Sequence, residues 1–187
     1  MDLKLAETAI KTLLRAIGDP YPSLKVTPSR AARGLAELLD GYLVDINSLF
    51  TATEEGEGKD QLVILKDIEF TSICLHHLLP FRGLIHIGYL PQDRVIGLSK
   101  LGRLALAYSR RLQLQEKLTK EIAYCLMKKL KPRGVAVVIV AEHSCIQSRG
   151  IKLSGSNCIT SEMLGKFRVE PILRQEFLSL IALDRVM

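Results

Sequence analysis

The sequence predicts an α+β domain in which N-terminal helices precede strands that carry further helices on one face. Three observations lead to this prediction. Apolar residues recur at helical spacing in the first 50 residues, and short runs rich in Val and Ile begin at Gln61. Helical spacing then returns over Leu101–Leu130. The length of 187 residues fits one domain over 1–187, with a helical part at 1–50 and a sheet-containing part at 61–187.

Two helices are predicted near the N-terminus. Residues 3–17 place apolar side chains on one helical face, and Gly18-Asp19-Pro20 ends the pattern. A second helix opens at Thr27-Pro28-Ser29, with proline in its first turn, and Gly41 is its candidate C-terminal stop. Residues 51–60 are polar and contain two glycines, so they predict a mobile surface loop.

The rest of the chain alternates between predicted strands and helices. The runs LVILKDIEF, LIHIGYL and VAVVIVA are typical of strands. Between the second and third run, two apolar stripes indicate two helices or one broken helix, and Leu173–Leu183 predicts a closing helix. The first stripe consists of Leu101, Leu104, Ala105, Tyr108 and Leu112, and the second of Leu118, Ile122, Leu126 and Leu130.

Composition excludes several classes of protein. Apolar residues make up 48% and charged residues 25%, as in an average soluble protein, which argues against disorder. The N-terminus carries Asp2 and Glu7 and is not typical of a signal peptide, and the longest apolar run, Val135–Ala141, is too short to span a membrane. Four cysteines without an export signal indicate free thiols, so we expect a cytoplasmic protein. The net charge of +6 favours an anionic partner.

Histidines and cysteines concentrate behind two predicted strands. Cys74, His76 and His77 follow the first strand, and His143 and Cys145 follow the third. Thiolate and imidazole are the ligands that Zn²⁺ prefers, and a catalytic zinc keeps three protein ligands and one position for water. Cys74, His77 and Cys145 would supply that set, which leaves His76 and His143 beside the metal as acid–base groups.

A purely structural role is the alternative for these residues, because buried cysteines often act as small hydrophobic residues. Two Cys/His clusters at two strand ends favour the metal site. Cys125 lies beside an apolar helical stripe and is interpreted as a core residue. His86 lies within an apolar strand and is interpreted as structural, and Cys158 is left unassigned.

A second concentration of residues is basic. Residues 94–117 contain six lysines and arginines and a single acid. Ser99 is predicted as the N-cap of a helix whose free amide groups face an anion, with Lys100 and Arg103 on one face. Arg149 adds a cation beside a glycine that permits close approach of the backbone. A solvated basic face is the alternative interpretation.

The pair Gln115-Glu116 follows the basic segment. A carboxylate accepts two hydrogen bonds side by side, which matches the adjacent N–H and NH₂ donors of guanine. An exposed glutamate on a helix surface is the alternative, and composition does not decide between the two.

Four blocks of the sequence, in their order along the chain, resemble the GTP cyclohydrolase I family. The zinc enzymes of this family catalyse the first step of pterin synthesis. The resemblance extends from Gly18-Asp19-Pro20 to Arg174-Gln175-Glu176-Phe177-Leu178, nearly the whole chain. It implies the tunnelling fold, in which N-terminal helices precede an antiparallel sheet and subunits join their sheets into a ring. Members are typically decamers with active sites at subunit interfaces. The blocks are VILKDIEFTSICLHHLLPF, VIGLSKLGR, YSRRLQLQEKLT and GVAVVIVAEHSCIQSRG.

The resemblance implies a reaction and a role for each matching residue. The implied reaction converts GTP to 7,8-dihydroneopterin triphosphate and releases formate, as the first step of pterin and tetrahydrofolate synthesis. The implied roles are zinc binding by Cys74, His77 and Cys145; acid–base chemistry by His76 and His143; triphosphate contacts by Lys100, Arg103 and Arg149, with Ser99 nearby; and guanine recognition by Glu116, supported by Gln115.

Two positions depart from the family pattern. Leu75 stands where the family usually has glutamate between the zinc cysteine and the histidine pair. If that acid supports a metal ligand, its loss weakens zinc binding or activity by about 10–100-fold. Lys117 stands where arginine is usual, which removes bidentate hydrogen bonding. The metal and substrate residues are intact, so we expect an active enzyme.

Three other functions are alternatives. One is an enzyme of the same fold that stops at the ring-opened formamide or makes another pterin. Another is an impaired paralogue that binds guanine nucleotide, which Leu75 suggests. A nucleic-acid-binding protein with structural zinc would need a fourth ligand and aromatic side chains over a groove, whereas the chain has five tyrosines, five phenylalanines and no tryptophan. We therefore expect GTP and further copies of the chain as partners, and neither nucleic acid nor membrane.

Overall fold

The N-terminal part of the chain is helical, as the sequence predicts. The structure, a computed structural model, describes residues 1–18, 25–51, 53–55 and 61–183. Helix α1 (Leu3–Ile17) ends at Gly18, which adopts the left-handed conformation (φ 75°) that glycine tolerates. Helix α2 (Thr27–Leu38) has Pro28 in its first turn, where the missing amide hydrogen removes no helical hydrogen bond.

Gly41 does not end helix α2, and this prediction is wrong. Gly41 lies in a 3-10 turn over Asp40–Leu43, and a second such turn follows at Asn47–Phe50. A Cβ atom at Gly41 would lie 2.3 Å from the carbonyl oxygen of Ala107 and 2.7 Å from that of Arg110. Glycine is required here because the turn packs closely against the backbone of another helix.

Two predicted features lie wholly or largely outside the described residues. These are the Asp19-Pro20 stop and the surface loop at 51–60. Within the latter, Thr53–Glu55 forms strand β1, which pairs antiparallel with β4 (Arg94–Ile96). The segment has no hydrophobic alternation, so nothing in its pattern predicted a strand.

The central sheet has five strands: β2 (Val63–Cys74), β3 (Pro80–Leu90), β5 (Leu112–Gln113), β6 (Gly134–His143) and β7 (Cys158–Gly165). Their order is β5-β2-β3-β6-β7. The four long strands are antiparallel, as the resemblance implies, whereas the short β5 runs parallel to β2. The sheet is therefore mixed at one edge.

The three predicted strands correspond to β2, β3 and β6, and each is longer than its apolar run. The sequence did not predict β5 or β7. Strand β7 is an edge strand of sequence CITSEMLG whose side chains are mostly exposed or half-buried. An edge strand of this composition lacks the apolar alternation that marks a half-buried strand.

Two long helices pack on one face of the sheet and confirm the predicted α+β class. They are α3 (Leu98–Ser109) and α4 (Gln115–Leu130), with β5 between them, so the segment forms two helices. Both predicted apolar stripes contribute to the main core, except that Leu112 belongs to β5. The fully or nearly fully buried members are Leu101, Leu104, Ala105, Leu118, Ile122, Leu126 and Leu130.

The C-terminal helices cover part of the opposite face. They are α6 (Lys166–Val169) and α7 (Pro171–Ile181), and α7 begins and ends two residues earlier than predicted. Phe167 and Phe177 are fully buried there, with ring centroids 5.8 Å apart in an edge-to-face arrangement. A second, smaller core thus lies behind the sheet.

Candidate active site

The structure brings three candidate metal-binding side chains together where strands β2 and β6 end: Cys74, His77 and Cys145. Cys74 is the last residue of β2, and Cys145 lies in the one-turn helix α5 (Ser144–Gln147) that follows β6. The sulfur atoms of both cysteines and a ring nitrogen of His77 all lie within 4.8 Å of one another. Within the described residues, this is the one group of three or more His, Cys, Asp and Glu side chains with such spacing.

The spacing and chemistry of these donors fit a tetrahedral metal ion. The Sγ atom of Cys74 lies 3.7 Å from Nδ1 of His77. In a tetrahedral zinc site with typical bond lengths, neighbouring sulfur and nitrogen ligands are roughly 3.6 Å apart. Burial raises the pKa of the Cys145 thiol, and the adjacent Cys74 raises it further. A cation between the two sulfur atoms would remove that penalty on the thiolate forms.

A tight turn carries the histidine pair out of strand β2. The amide of Leu78 donates to the carbonyl oxygen of Cys74 (2.9 Å), and the amide of Cys74 donates to that of Leu79 (2.8 Å). His76 and His77 are exposed on this turn, with ring centroids 6.0 Å apart. The side chain of Leu75 is also exposed, at 45%, so the fold does not require an apolar residue there.

His143, the last residue of β6, is held from two sides. The ring of Phe81 stacks on its imidazole, with centroids 4.6 Å apart and planes 5° apart. Its Nε2 lies 2.8 Å from Oε1 of Gln115. Burial lowers the pKa of His143, and the carboxylate of Glu116 offsets part of that change.

Phe81 is a site residue that no pattern in the sequence singled out. It is 1% exposed and lies opposite His143 in the register of β3 and β6. The available signal was its position between His77 and the predicted strand LIHIGYL, four residues after that histidine.

Gln115 and Glu116 begin helix α4 but differ in exposure. Glu116 is exposed and close enough to raise the pKa values of His143 and Cys158, although burial is the larger cause at Cys158. Gln115 is 1% exposed, and its side-chain amide contacts the sheet and His143. Glu116 is therefore accessible to solvent near His143, whereas Gln115 is buried and contacts the His143 ring.

The predicted triphosphate cations divide into two groups. Arg149 is exposed and near the cluster, where its charge lowers the pKa of Cys145 against the larger effect of burial. Ser99, Lys100 and Arg103 lie instead in the first turns of α3. The prediction that Ser99 is the N-cap is wrong, because the helix begins at Leu98 and Gly97 is its N-cap.

The N-terminus of α3 lies far from the Cys/His cluster of the same chain. The amide of Ile96, just before α3, donates to the hydroxyl of Tyr89 (3.2 Å). Tyr89 is near one end of β3, whereas Phe81, beside His143, is at the other. Eight residues of strand separate them, about 26 Å at roughly 3.3 Å per residue. A single chain therefore does not bring Ser99, Lys100 and Arg103 to the cluster.

The remaining residues singled out in the sequence have structural surroundings. His86 is 6% exposed, and its Nδ1 accepts a hydrogen bond from the amide of Asp67 (3.1 Å). Cys125 packs against the main core, as predicted. All four cysteines are free thiols, as predicted.

An open cleft elsewhere on the sheet is separate from this cluster. It has a volume of about 1030 Å³ and is lined in part by Glu69, Arg82 and Glu142. It contains none of the three candidate ligands. The Cys/His cluster, where the donor chemistry is specific, is therefore the candidate active site.

Comparison with known proteins decides the family. The model of the GTP cyclohydrolase I family matches residues 6–182. The chain belongs to the GTP cyclohydrolase I family. The resemblance that the four sequence blocks show is therefore confirmed. The prediction that this GTP cyclohydrolase I homologue is an enzyme of the hydrolase class is also confirmed.

Relatives of this GTP cyclohydrolase I family member come from distant organisms. GTP cyclohydrolase 1 of Synechococcus sp. (strain JA-2-3B'a(2-13)) is 47% identical over 92% of this chain and 76% of its own. The enzyme of that name from Rattus norvegicus is 46% identical over 97% of this chain and 76% of its own. The enzyme of that name from Methylococcus capsulatus is 47% identical over 94% of this chain and 96% of its own.

A solved structure, the archaeosine synthase QueF-Like in the apo form, also aligns with the chain. The TM-score is 0.47 at 18% identity, over 56% of this chain and 93% of that one, and this likeness contributes nothing to the functional argument. In the parts of the chain that the structure describes, no helix combines the length and apolar character of a transmembrane segment.

Proposed function

We propose that this chain is a zinc-dependent GTP cyclohydrolase. It hydrolyses and rearranges GTP to 7,8-dihydroneopterin triphosphate with release of formate, the first step of pterin and tetrahydrofolate synthesis. The convergence of Cys74, His77 and Cys145 beside His143 carries this proposal. When bound by these three residues, zinc supplies a Lewis acid that lowers the pKa of water toward about 7.

His143 acts as the general acid on the guanine. A proton delivered to N7 makes C8 electrophilic, and general acid catalysis contributes roughly 10²–10⁴-fold. The stacked Phe81 ring and the hydrogen bond to Gln115 support this role, because they fix the plane and the direction of the imidazole. His76, exposed on the turn beside the metal ligand His77, then assists opening of the ribose.

Glu116 recognises the guanine base. Its exposed carboxylate lies on the side of His143 and Cys158, whose pKa values it raises. A carboxylate there accepts hydrogen bonds from the N–H and NH₂ donors of the base. Gln115 supports this recognition through its place at the start of helix α4, beside Glu116.

The triphosphate is bound between two subunits. Arg149 belongs to the same subunit as the cluster, whereas Ser99, Lys100 and Arg103 belong to a neighbour. The length of the sheet between α3 and the cluster supports this arrangement, since a head-to-tail contact brings one end of a subunit against the other end of the next. The active form is therefore a ring-forming homo-oligomer, a decamer in our proposal, and each chain is one cytoplasmic domain.

The impaired-paralogue alternative has only Leu75 in its favour. Leu75 is exposed and lies on the turn, and the candidate ligands Cys74, His77 and Cys145 keep metal-site spacing despite it. An inactive copy freed from selection on zinc binding would be expected to lose one of these ligands first. We therefore do not propose this function.

The test is incubation of the zinc-loaded protein with GTP, with formate and pterin fluorescence measured together. We expect both products from the natural chain and neither from His143→Ala or Cys145→Ala. Formate without pterin would assign an enzyme that hydrolyses the ring-opened formamide and stops before the pterin ring closes. Neither product, from a zinc-loaded oligomer that binds GTP, would refute the cyclohydrolase proposal.

A further inference from the structure

The side-chain amide of Gln115 has only one acceptable orientation. Its Nε2 lies 3.0 Å from the carbonyl oxygen of Ile139, 2.9 Å from that of Cys158 and 3.1 Å from Oγ1 of Thr160. Carbonyl oxygens only accept hydrogen bonds, so the NH₂ group must face them. The rotated amide would set Oε1 against two carbonyl oxygens in a site where Gln115 is 1% exposed, and buried unpaired oxygens are costly.

Two threonines complete a closed chain of hydrogen bonds around this amide. Oγ1 of Thr119 lies 2.7 Å from the backbone oxygen of Gln115 and 2.6 Å from Oγ1 of Thr160. Thr119 donates to the backbone oxygen, since that oxygen only accepts. Thr160 then donates to Thr119 and accepts from Nε2 of Gln115. The two hydrogens of Nε2 face three acceptors, so one of them is shared, and the arrangement requires the same orientation of the amide.

The fixed amide determines which ring nitrogen of His143 carries hydrogen. Oε1 of Gln115 is directed at Nε2 of His143, 2.8 Å away, and an amide oxygen can only accept. Nε2 must therefore donate. In a neutral imidazole only one nitrogen is protonated, so Nδ1 carries the free electron pair. The stacked Phe81 ring prevents the imidazole from turning out of this plane.

We propose that Gln115 is a positioning residue that keeps hydrogen on Nε2 of His143 and makes Nδ1 the nitrogen that exchanges a proton with the substrate. This inference rests on the proposed function, in which His143 protonates guanine. The proton leaves Nδ1 as its bond to N7 of the base forms. The imidazolium becomes the neutral Nε2–H form, and no other hydrogen has to move.

The choice of glutamine over glutamate follows from the same contacts. A glutamate at position 115 could still accept from Nε2 of His143, but it would place a second oxygen against the carbonyls of Ile139 and Cys158 without a hydrogen. Methionine has a similar volume and provides neither the acceptor nor the donors. Gln115→Glu and Gln115→Met therefore separate the hydrogen bond to His143 from the packing of the side chain.

The experiment is ¹⁵N solid-state NMR of the assembled, zinc-loaded protein labelled at histidine. The chain has four histidines, so the His143 signals are assigned by their loss in His143→Asn. The spectra are compared at a pH where His143 is neutral. There we expect a protonated Nε2 and an unprotonated Nδ1 in the natural chain, and a mixture of both neutral tautomers in Gln115→Met. Gln115→Glu should retain the protonated Nε2.

Kinetics with GTP provide the second measurement. Gln115→Met should lower kcat by about 10–100-fold, part of the roughly 10²–10⁴-fold that general acid catalysis contributes, with little change in KM. Thr119→Val is the matched control: it alters the same buried chain of hydrogen bonds, leaves both carbonyl partners of Gln115 in place and should preserve the His143 spectrum.

The outcomes separate this inference from the proposed function. A neutral His143 imidazole protonated on Nδ1 in the natural chain, or an unchanged His143 spectrum in Gln115→Met, would overturn the assignment of Gln115. The expected spectra from a protein that releases no formate would support the hydrogen-bond assignment and refute the cyclohydrolase proposal instead.

Discussion

The Sγ atom of Cys74 lies 3.7 Å from Nδ1 of His77, close to the distance between neighbouring sulfur and nitrogen ligands in a tetrahedral zinc site. These two residues are neighbours on one turn, whereas Cys145 comes from a separate strand end 71 residues further along the chain. The three ligands therefore meet only when β2 and β6 are both in place. Metal binding and folding are linked in such a site.

Removal of one cysteine ligand should abolish tight zinc binding. We expect Cys145→Ser to weaken zinc affinity by more than about 100-fold, because a thiolate bond to the metal is lost outright. The measurement is zinc content per chain after dialysis against a weak chelator. Cys125→Ser is the control, since Cys125 packs against the core and is not part of the cluster. Full zinc content in Cys145→Ser would show that the metal binds elsewhere.

Two inactive variants should restore activity to one another when assembled together. Cys145→Ala should inactivate the Cys/His cluster, and Lys100→Ala with Arg103→Ala should inactivate the proposed phosphate-binding residues of helix α3. If each site combines the cluster of one subunit with α3 of its neighbour, random assembly of equal amounts makes about one quarter of the sites intact. Formate release after joint refolding measures this recovery. No recovery from mixed oligomers would mean that each site uses a single chain.

Stability should fall in mild acid because of His86. Burial lowers the pKa of His86 below its usual 6.5, Asp67 acts in the opposite direction, and Lys66 lowers it further. Below pH 6.5, His86 therefore binds a proton more readily in the unfolded chain than in the folded chain. The free energy of unfolding decreases as pH falls through 6.5 toward the folded pKa, by at most about 1.4 kcal/mol per pH unit for one group.

His86→Asn should reduce this slope, because asparagine offers an acceptor for the Asp67 amide and does not titrate. The measurement is urea unfolding of both proteins between pH 5 and pH 8. Equal slopes for the two proteins would contradict the assignment.

A single methyl group at Gly41 should destabilise the fold. Its Cβ would lie 2.3 Å from the carbonyl oxygen of Ala107, a backbone atom that cannot move aside alone. We expect Gly41→Ala to lower the free energy of unfolding by about 1–3 kcal/mol. Gly34→Ala is the control, because Gly34 lies within helix α2 with open space around it and should gain up to about 1 kcal/mol. Urea midpoints of both variants measure the difference.

Much of the fold follows from local patterns in the sequence. Helix α1, the proline-led start of α2, the two buried stripes of α3 and α4 and the strands β2, β3 and β6 all have a clear apolar period. Strands β1, β5 and β7 do not, because they are short or lie at an edge and their pairing comes from distant segments. Gly41 was misread for a related reason: its close contact is with Ala107, far along the chain.

The candidate site divides in the same way. Ligand chemistry and strand ends were sufficient to select Cys74, His77 and Cys145, which the structure brings together. Residue type alone did not show that Gln115 lies behind His143, since that contact depends on how α4 packs on β6 and β7. Nor did it show that Lys100 lies toward the opposite end of the sheet from the cluster, because the direction of α3 relative to β2 is a property of the topology.

The most direct test of the cyclohydrolase assignment follows the C8 atom of the substrate. Zinc-loaded protein is incubated with GTP labelled with ¹³C at C8, and the reaction is followed by ¹³C NMR. We predict that the label appears in free formate while an unlabelled pterin accumulates in equal amount. Retention of the label in a ring-opened formamide, or in unreacted GTP bound to a zinc-loaded protein, would contradict that assignment.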